Sequence, residues 1–197
     1  MTTPLLNLSA MIQPGDVSEN DKGKIHIFQT IETKFLEILT LLLALGGILL
    51  RIEKAILDRS FRGDEAALAS AIHNHSLYEL LTVPLGGSVT APLGFLAGEK
   101  LVVDLFGFQD FYYRLVPLIA DCLSVVLMFF LAKILLGDFG TAFAVGAFSL
   151  NRMLSFYSSD LKQYSTDVAI ALCIYLMVAR YLKNKSTRTP YGWLLSA

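Results

Sequence analysis

Two clusters of polar side chains in this 197-residue chain are of types and spacings that could do chemistry. The first opens with the adjacent carboxylates Asp64 and Glu65 and continues with Lys100 and Arg114. A carboxylate at a half-dry interface can act as a general base, because partial desolvation raises its pKa toward neutrality. The same Asp-Glu pair also suits the first turn of a helix. Lys100 and Arg114 can hold a phosphate, Arg in a fork geometry, or can snorkel from apolar helices toward the headgroups. The second cluster is SSDLKQYSTD, residues 158–167, which sets Asp160, Lys162, Gln163, Tyr164 and Asp167 between two apolar runs. Such a stretch is either a solvated turn or one wall of an active site at a membrane surface.

Other candidates carry less. His73 and His75 in IHNHS have no metal-ligand spacing on a helix, where the two rings point to different faces. Asp121 falls inside an apolar run, and intramembrane carboxylates face a partner or a cavity. Lys133 lies too far along the same helix to be that partner. Cys122 and Cys173 are far apart in apolar stretches and read as small core hydrophobes. The sequence holds no Gly-rich phosphate loop, no HExxH and no GxSxG. No metal site is indicated, and the expected cofactor set is empty.

The elements that must position these groups are membrane helices. The chain is 54% hydrophobic and only 17% charged, with mean hydropathy +0.57. Its apolar residues come in blocks, as in a polytopic all-α membrane protein. Four spans are expected: 35–57, 115–136, 139–157 and 168–182, with PYGWLLSA as the start of a fifth. Residues 1–34 are polar and lack a cleavable signal pattern, so they read as a cytoplasmic tail. Residues 58–114 form a first outer loop, with one or two short amphipathic helices over 58–81. A turn follows at VPLGGSVTAP, then a helix over 92–107 that carries Glu99, Lys100 and Asp104 and either lies along the membrane surface or spans it. Residues 158–167 form a second outer loop. RYLKNKSTR is the most basic stretch and sets the cytoplasmic side. Both polar loops then face outward. A net charge of −1 gives no field to attract nucleic acid.

With these pieces in order, the chain resembles the membrane-embedded GT-C glycosyltransferases. RGDEAALASAIHNHSLYELL, APLGFLAGEKLVVDLFGFQDFYYRLVPL and YSSDLKQYSTDVAIAL carry the resemblance. It is nearest to the branch of protein O-mannosyltransferases, lipid A aminoarabinose transferases and rhizobial lipopolysaccharide glycosyltransferases, and runs from about residue 35 onward. It implies transfer of a sugar from a polyprenyl-phosphate carrier to a hydroxyl on a glycan, lipid or protein, on the outer face of a bacterial plasma membrane. Asp64 matches the family's catalytic base, with Glu65 beside it. The acid of the second outer loop matches Asp160 or Asp167. Lys100 and Arg114 match groups near the lipid phosphate, and Lys162, Gln163 and Tyr164 line the second loop. Relatives carry many more spans, so residues 35–197 read as the front part of a catalytic module. The competing readings are a transporter subunit or membrane scaffold, motivated by Asp121 and Lys133, and an inactive fragment of the enzyme.

Overall fold

The computed structural model describes residues 19–57, 60–83 and 91–188. Most of the turn expected at 83–92, the first part of the N-terminal tail and the start of a fifth span lie outside the described residues. Every regular element among the described residues is helical: α1 (Glu19–Ile56), α2 (Gly63–Asn74), α3 (Leu77–Thr82), α4 (Leu93–Phe106), a 3-10 turn (Tyr112–Arg114), α5 (Leu115–Leu135), α6 (Asp138–Ser149), α7 (Arg152–Tyr157) and α8 (Tyr164–Arg188).

Three helical stretches are long and apolar enough to cross a membrane, Ile27–Ile56, Tyr112–Leu135 and Tyr164–Lys185. Large apolar side chains along them point outward, among them Leu42, Leu45, Leu49, Ile119, Leu123, Ile170 and Ile174. This is the pattern of helices whose outer surface meets hydrocarbon rather than water. The expected third span, 139–157, is not one helix. Asn151 leaves helical geometry with ψ 114°, and its side-chain oxygen accepts from the N–H groups of Met153 and Leu154 at 3.0 and 3.1 Å. A side chain that caps a new helix ends the old one. α6 is therefore 12 residues, about 18 Å long, and α7 restarts the chain after a break.

Two charged contacts fix how the helices run. Lys133 near the end of α5 meets Glu37 of α1 at 2.7 Å, and Asp121 earlier in α5 meets Arg51 late in α1. α1 and α5 are thus antiparallel. α6 runs parallel to α1, since Phe139 shares a cleft with Leu36 while Ser149 lies against Gly47. A Cβ on Gly47 would stand 2.5 Å from that of Ser149, so only glycine permits this approach. α8 returns alongside α5, the most extensive helix pairing in the fold. The described stretches 60–83, 91–114 and 158–163 therefore lie at the same end of the bundle.

That end is closed by a second, smaller core. Leu68, Ala69 and Ile72 of α2, Phe95, Leu96 and Val103 of α4, Tyr113 and Leu161 bury against one another. α4 has 14 residues, about 21 Å, which is short of the roughly 30 Å hydrocarbon core. It packs on α2, α3 and α5 while Leu93, Leu101, Leu105 and Phe106 stay exposed.

Arg51 is fully buried. Its Nη1 donates to the carbonyls of Gly47 and Ser149 at 3.0 and 2.9 Å, and its Nε lies 3.0 Å from Asp121 Oδ2. The Nε–Oδ2 approach is close but poorly aligned, an ionic contact rather than a full hydrogen bond. Removing one partner leaves an uncompensated buried charge, and such losses cost about 3–5 kcal/mol. Arg51→Met is expected to lower the unfolding midpoint of the detergent-solubilised chain sharply. Arg51→Met combined with Asp121→Leu should regain most of it; a double variant as unstable as the single one would show that the pair is not the cause.

Candidate functional site

The site is built where α2 starts. Arg62 is extended and Gly63 opens the helix, so Asp64 and Glu65 fall in its first turn. Successive helix residues point about 100° apart, and the two carboxylates diverge. Glu65 turns inward and is fully buried, while the Asp64 side chain stays 58% exposed.

Glu65 ties the two polar loops together. Its Oε2 accepts from its own helix's Arg62 N–H at 2.9 Å, closing the first turn. Its Oε1 accepts from the Leu161 N–H at 3.0 Å, across 96 residues of sequence. Leu161 is itself buried in the small core. Glu65, expected as a catalytic carboxylate, is thus occupied in holding the second loop against α2.

With that loop fixed, Lys162 reaches Asp64: Nζ and Oδ2 are 2.5 Å apart. The Lys162 hydrogen bond holds the Asp64 carboxyl below the ordinary carboxylate range, and Asp64 holds the Lys162 ammonium above its ordinary value. This reverses the expectation that desolvation would raise Asp64, because a neighbouring cation outweighs the small burial. Asp160 is buried just before Lys162, and its carboxylate also favours the ammonium. Gln163 is half-buried between Lys162 and Tyr164. The Tyr164 ring is 43% exposed and lies 4.8 Å, centroid to centroid, from that of Tyr157. Asp167 is exposed and sits inside the first turn of α8, its N–H donating to the Gln163 carbonyl, so it is not the N-cap of that helix. Of the two candidate acids, only Asp160 belongs to the buried part of the loop.

The other expected cations are inside. Lys100 is buried; it donates to the Ile72 carbonyl at 3.2 Å and pairs with Asp104 at 3.0 Å. It thus joins α4 to α2 rather than standing ready for a phosphate. Arg114 is buried with its guanidinium over the Phe61 ring at 5.0 Å. Arg62, which the sequence reading passed over, remains exposed and lies 5.0 Å over the Phe156 ring. The His73 ring packs edge-on against Phe108, and His75 Nδ1 meets the Ala71 carbonyl at 2.9 Å. No group of metal-ligating side chains converges among the described residues. A cleft of about 660 Å³ opens at the same end, lined by Ala55, Ile56, Gln109, Asp110 and Phe111. Cys173, expected in the core, is exposed on α8, and Cys122 is half-buried.

Arg51 and Glu99 carried no sequence-based role. The signal for Arg51 was an Arg at the end of one apolar run and an unpaired Asp inside another, which must find each other. Glu99 gave no such signal. It is fully buried in α4, and neither carboxyl oxygen has a hydrogen-bond partner among the described residues. Burial without a partner pushes its carboxyl well above the ordinary range. Comparison with family profiles, with curated protein sequences and with solved structures gives no match.

Two outcomes test this arrangement. Glu65→Ala leaves the Leu161 N–H without its acceptor, at a cost of about 1–3 kcal/mol. Amide exchange at Leu161 is expected to speed up in that variant while amides in the middle of α5 keep their protection; an unchanged Leu161 rate would rule out the strut. Glu99 has the opposite sign. Its folded-state pKa is raised, so above the ordinary Glu range the folded chain holds a proton that the unfolded chain has lost, and stability falls as pH rises. Glu99→Met should raise the unfolding midpoint at neutral pH and leave it unchanged at acidic pH. An equal effect at both would mean that the charge cost is not the cause.

Proposed function

We propose that this chain acts as part of a GT-C-type glycosyltransferase, moving a sugar from a polyprenyl-phosphate carrier to a hydroxyl acceptor. The observation that carries this reading is the Asp64–Lys162 pair, which joins a base candidate on one polar loop to a cation on the other. The pair stands at one end of a bundle whose sides are apolar. That placement suits a donor whose tail stays in lipid while its phosphate and sugar emerge at the surface. Asp64 takes the acceptor's proton as the hydroxyl oxygen attacks the anomeric carbon. The bond from that carbon to the phosphate oxygen breaks, and its electron pair stays on the lipid phosphate. Lys162 offsets the charge that grows there, an interaction stronger in the transition state than before it. Asp160 and Gln163 shape the loop, and Tyr164 offers a face to the sugar. The active end faces outward from a bacterial plasma membrane, and the acceptor is a glycan, lipid or protein hydroxyl.

The transport or scaffold reading draws no support from the two charges within apolar runs that suggested it. Asp121 is matched by Arg51 and Lys133 by Glu37. Asp64→Asn in membranes supplied with a polyprenyl-phosphate sugar is expected to cut release of polyprenyl monophosphate by about 10²–10⁴-fold, the usual contribution of a positioned base. The helical circular dichroism should be unchanged. Undiminished release from the folded variant would remove Asp64 from the chemistry.

A further inference from the structure

In the structure the base candidate is occupied. The Lys162 ammonium sits directly on Asp64 Oδ2, and Asp64 Oδ1 accepts from the Glu65 N–H at 3.0 Å. A carboxylate so engaged is a weak proton acceptor. Yet neither member is locked in place: the side chains are 58% exposed for Asp64 and 26% for Lys162. The backbone beneath them is held instead, by Glu65 on the Leu161 N–H and by the Lys162 N–H on the Asp160 carbonyl. A flexible cation on a fixed loop can change partners without moving the loop.

We propose that Lys162 is a counter-ion exchanged between Asp64 and the phosphate of a lipid-linked donor, so that the base is unmasked only when the donor is bound. This rests on the glycosyl-transfer reading above and adds a control to it. Among the described residues, the titratable groups by the pair on the α2 side are Glu65, which accepts from the Arg62 and Leu161 N–H groups, and Arg62, drawn over Phe156. On the loop side they are Asp160, whose carboxylate favours a charged Lys162, and the Tyr164 phenol. Lysine suits this exchange because its ammonium is a compact point charge on four rotatable carbons with no fork to align. An exposed pair of this kind is held only weakly, so a phosphate can displace the carboxylate. In the empty state the masked Asp64 cannot activate water against a passing donor. With the donor seated, Lys162 meets the phosphate oxygen from which the sugar departs, and Asp64 regains its basicity. After transfer the phosphate monoester carries more negative charge and keeps Lys162 until the lipid leaves.

The test uses the full chain in phosphatidylcholine nanodiscs, labelled with ¹³C at aspartate carboxyls, with the Asp64 signal identified through Asp64→Asn. The probe is a polyprenyl monophosphate, followed by ³¹P. The expected result is an upward shift of the Asp64 titration midpoint when the probe is added. In Lys162→Met that midpoint should already be raised and should not respond; Lys162→Arg, which keeps a cation, should behave as the parent. If the ³¹P signal shows binding while Asp64 does not move, the exchange is overturned and the glycosyl-transfer reading stands. If the phosphate signal does not respond at all, the lipid-phosphate reading falls together with the exchange. Phosphatidic acid and inorganic phosphate separate the sources: an equal Asp64 response to either would overturn a carrier-specific switch.

Discussion

A guanidinium cannot be taken out of water unless nearly every N–H finds an acceptor and its charge an opposite. Arg51 sits fully buried near the end of a membrane-length helix, and the fold is arranged to meet that demand. Two carbonyls from different helices, Gly47 and Ser149, accept from it, and Asp121 supplies the charge from a third. Those contacts need α1 and α6 closer than side chains would allow, and Gly47 makes the space. The end of α6 is thereby fixed against α1, which places the chain that follows at the bundle's polar end. The Arg51 carbonyl accepts from the Ser158 hydroxyl at 3.4 Å, the first residue of the second polar loop.

From this buried pair outward, the contacts grow steadily weaker and more accessible. Arg51–Asp121 is sealed from solvent; Glu65–Leu161 is buried but joins only a side chain to a backbone N–H; Asp64–Lys162 is open. Burial strengthens an electrostatic contact and makes its loss costly, while exposure leaves it cheap to exchange. The gradient separates two duties that one contact could not combine. The inner pairs hold the loops in register, and the outer pair is open to solvent. Glu99 stands outside this order, as a buried carboxyl without a partner that the small core has to tolerate.

Much of the helical frame was legible because lipid exposure writes a plain code. Runs such as FLEILTLLLALGGILL and LVPLIADCLSVVLMFF carry one charge each in an otherwise apolar stretch, and both became membrane-length helices. Residues 139–157 form a less apolar run that still reads as one segment, but Asn151 has the side chain to cap a new helix and so divides it. Averages over a window do not resolve one capping residue. The site was legible in its members and not in their duties. That Asp64 lies near the second loop follows from counting crossings. That Lys162 and not Lys100 is its cation does not, because Lys100 is drawn inward by a carbonyl 28 residues away. Long basic side chains reach four or five bonds from the backbone, and sequence position says little about where the charge ends.

Adjacent carboxylates show best how local geometry assigns duties. Asp64 and Glu65 have the same charge and nearly the same chemistry, and they differ by one methylene and one helix position. The helix turn sends the second inward, and its extra length lets it reach both the Arg62 and Leu161 N–H groups. A carboxylate with its lone pairs spent on backbone donors is a strut. The first is sent outward with one oxygen on a partly exposed ammonium. Exchanging the two residues would put a short carboxylate where a long one must bridge, and a long one where the cation is already close. The order Asp-Glu, rather than the mere presence of two acids, is what allows a buried strut and an exposed, lysine-paired carboxylate to occupy neighbouring positions.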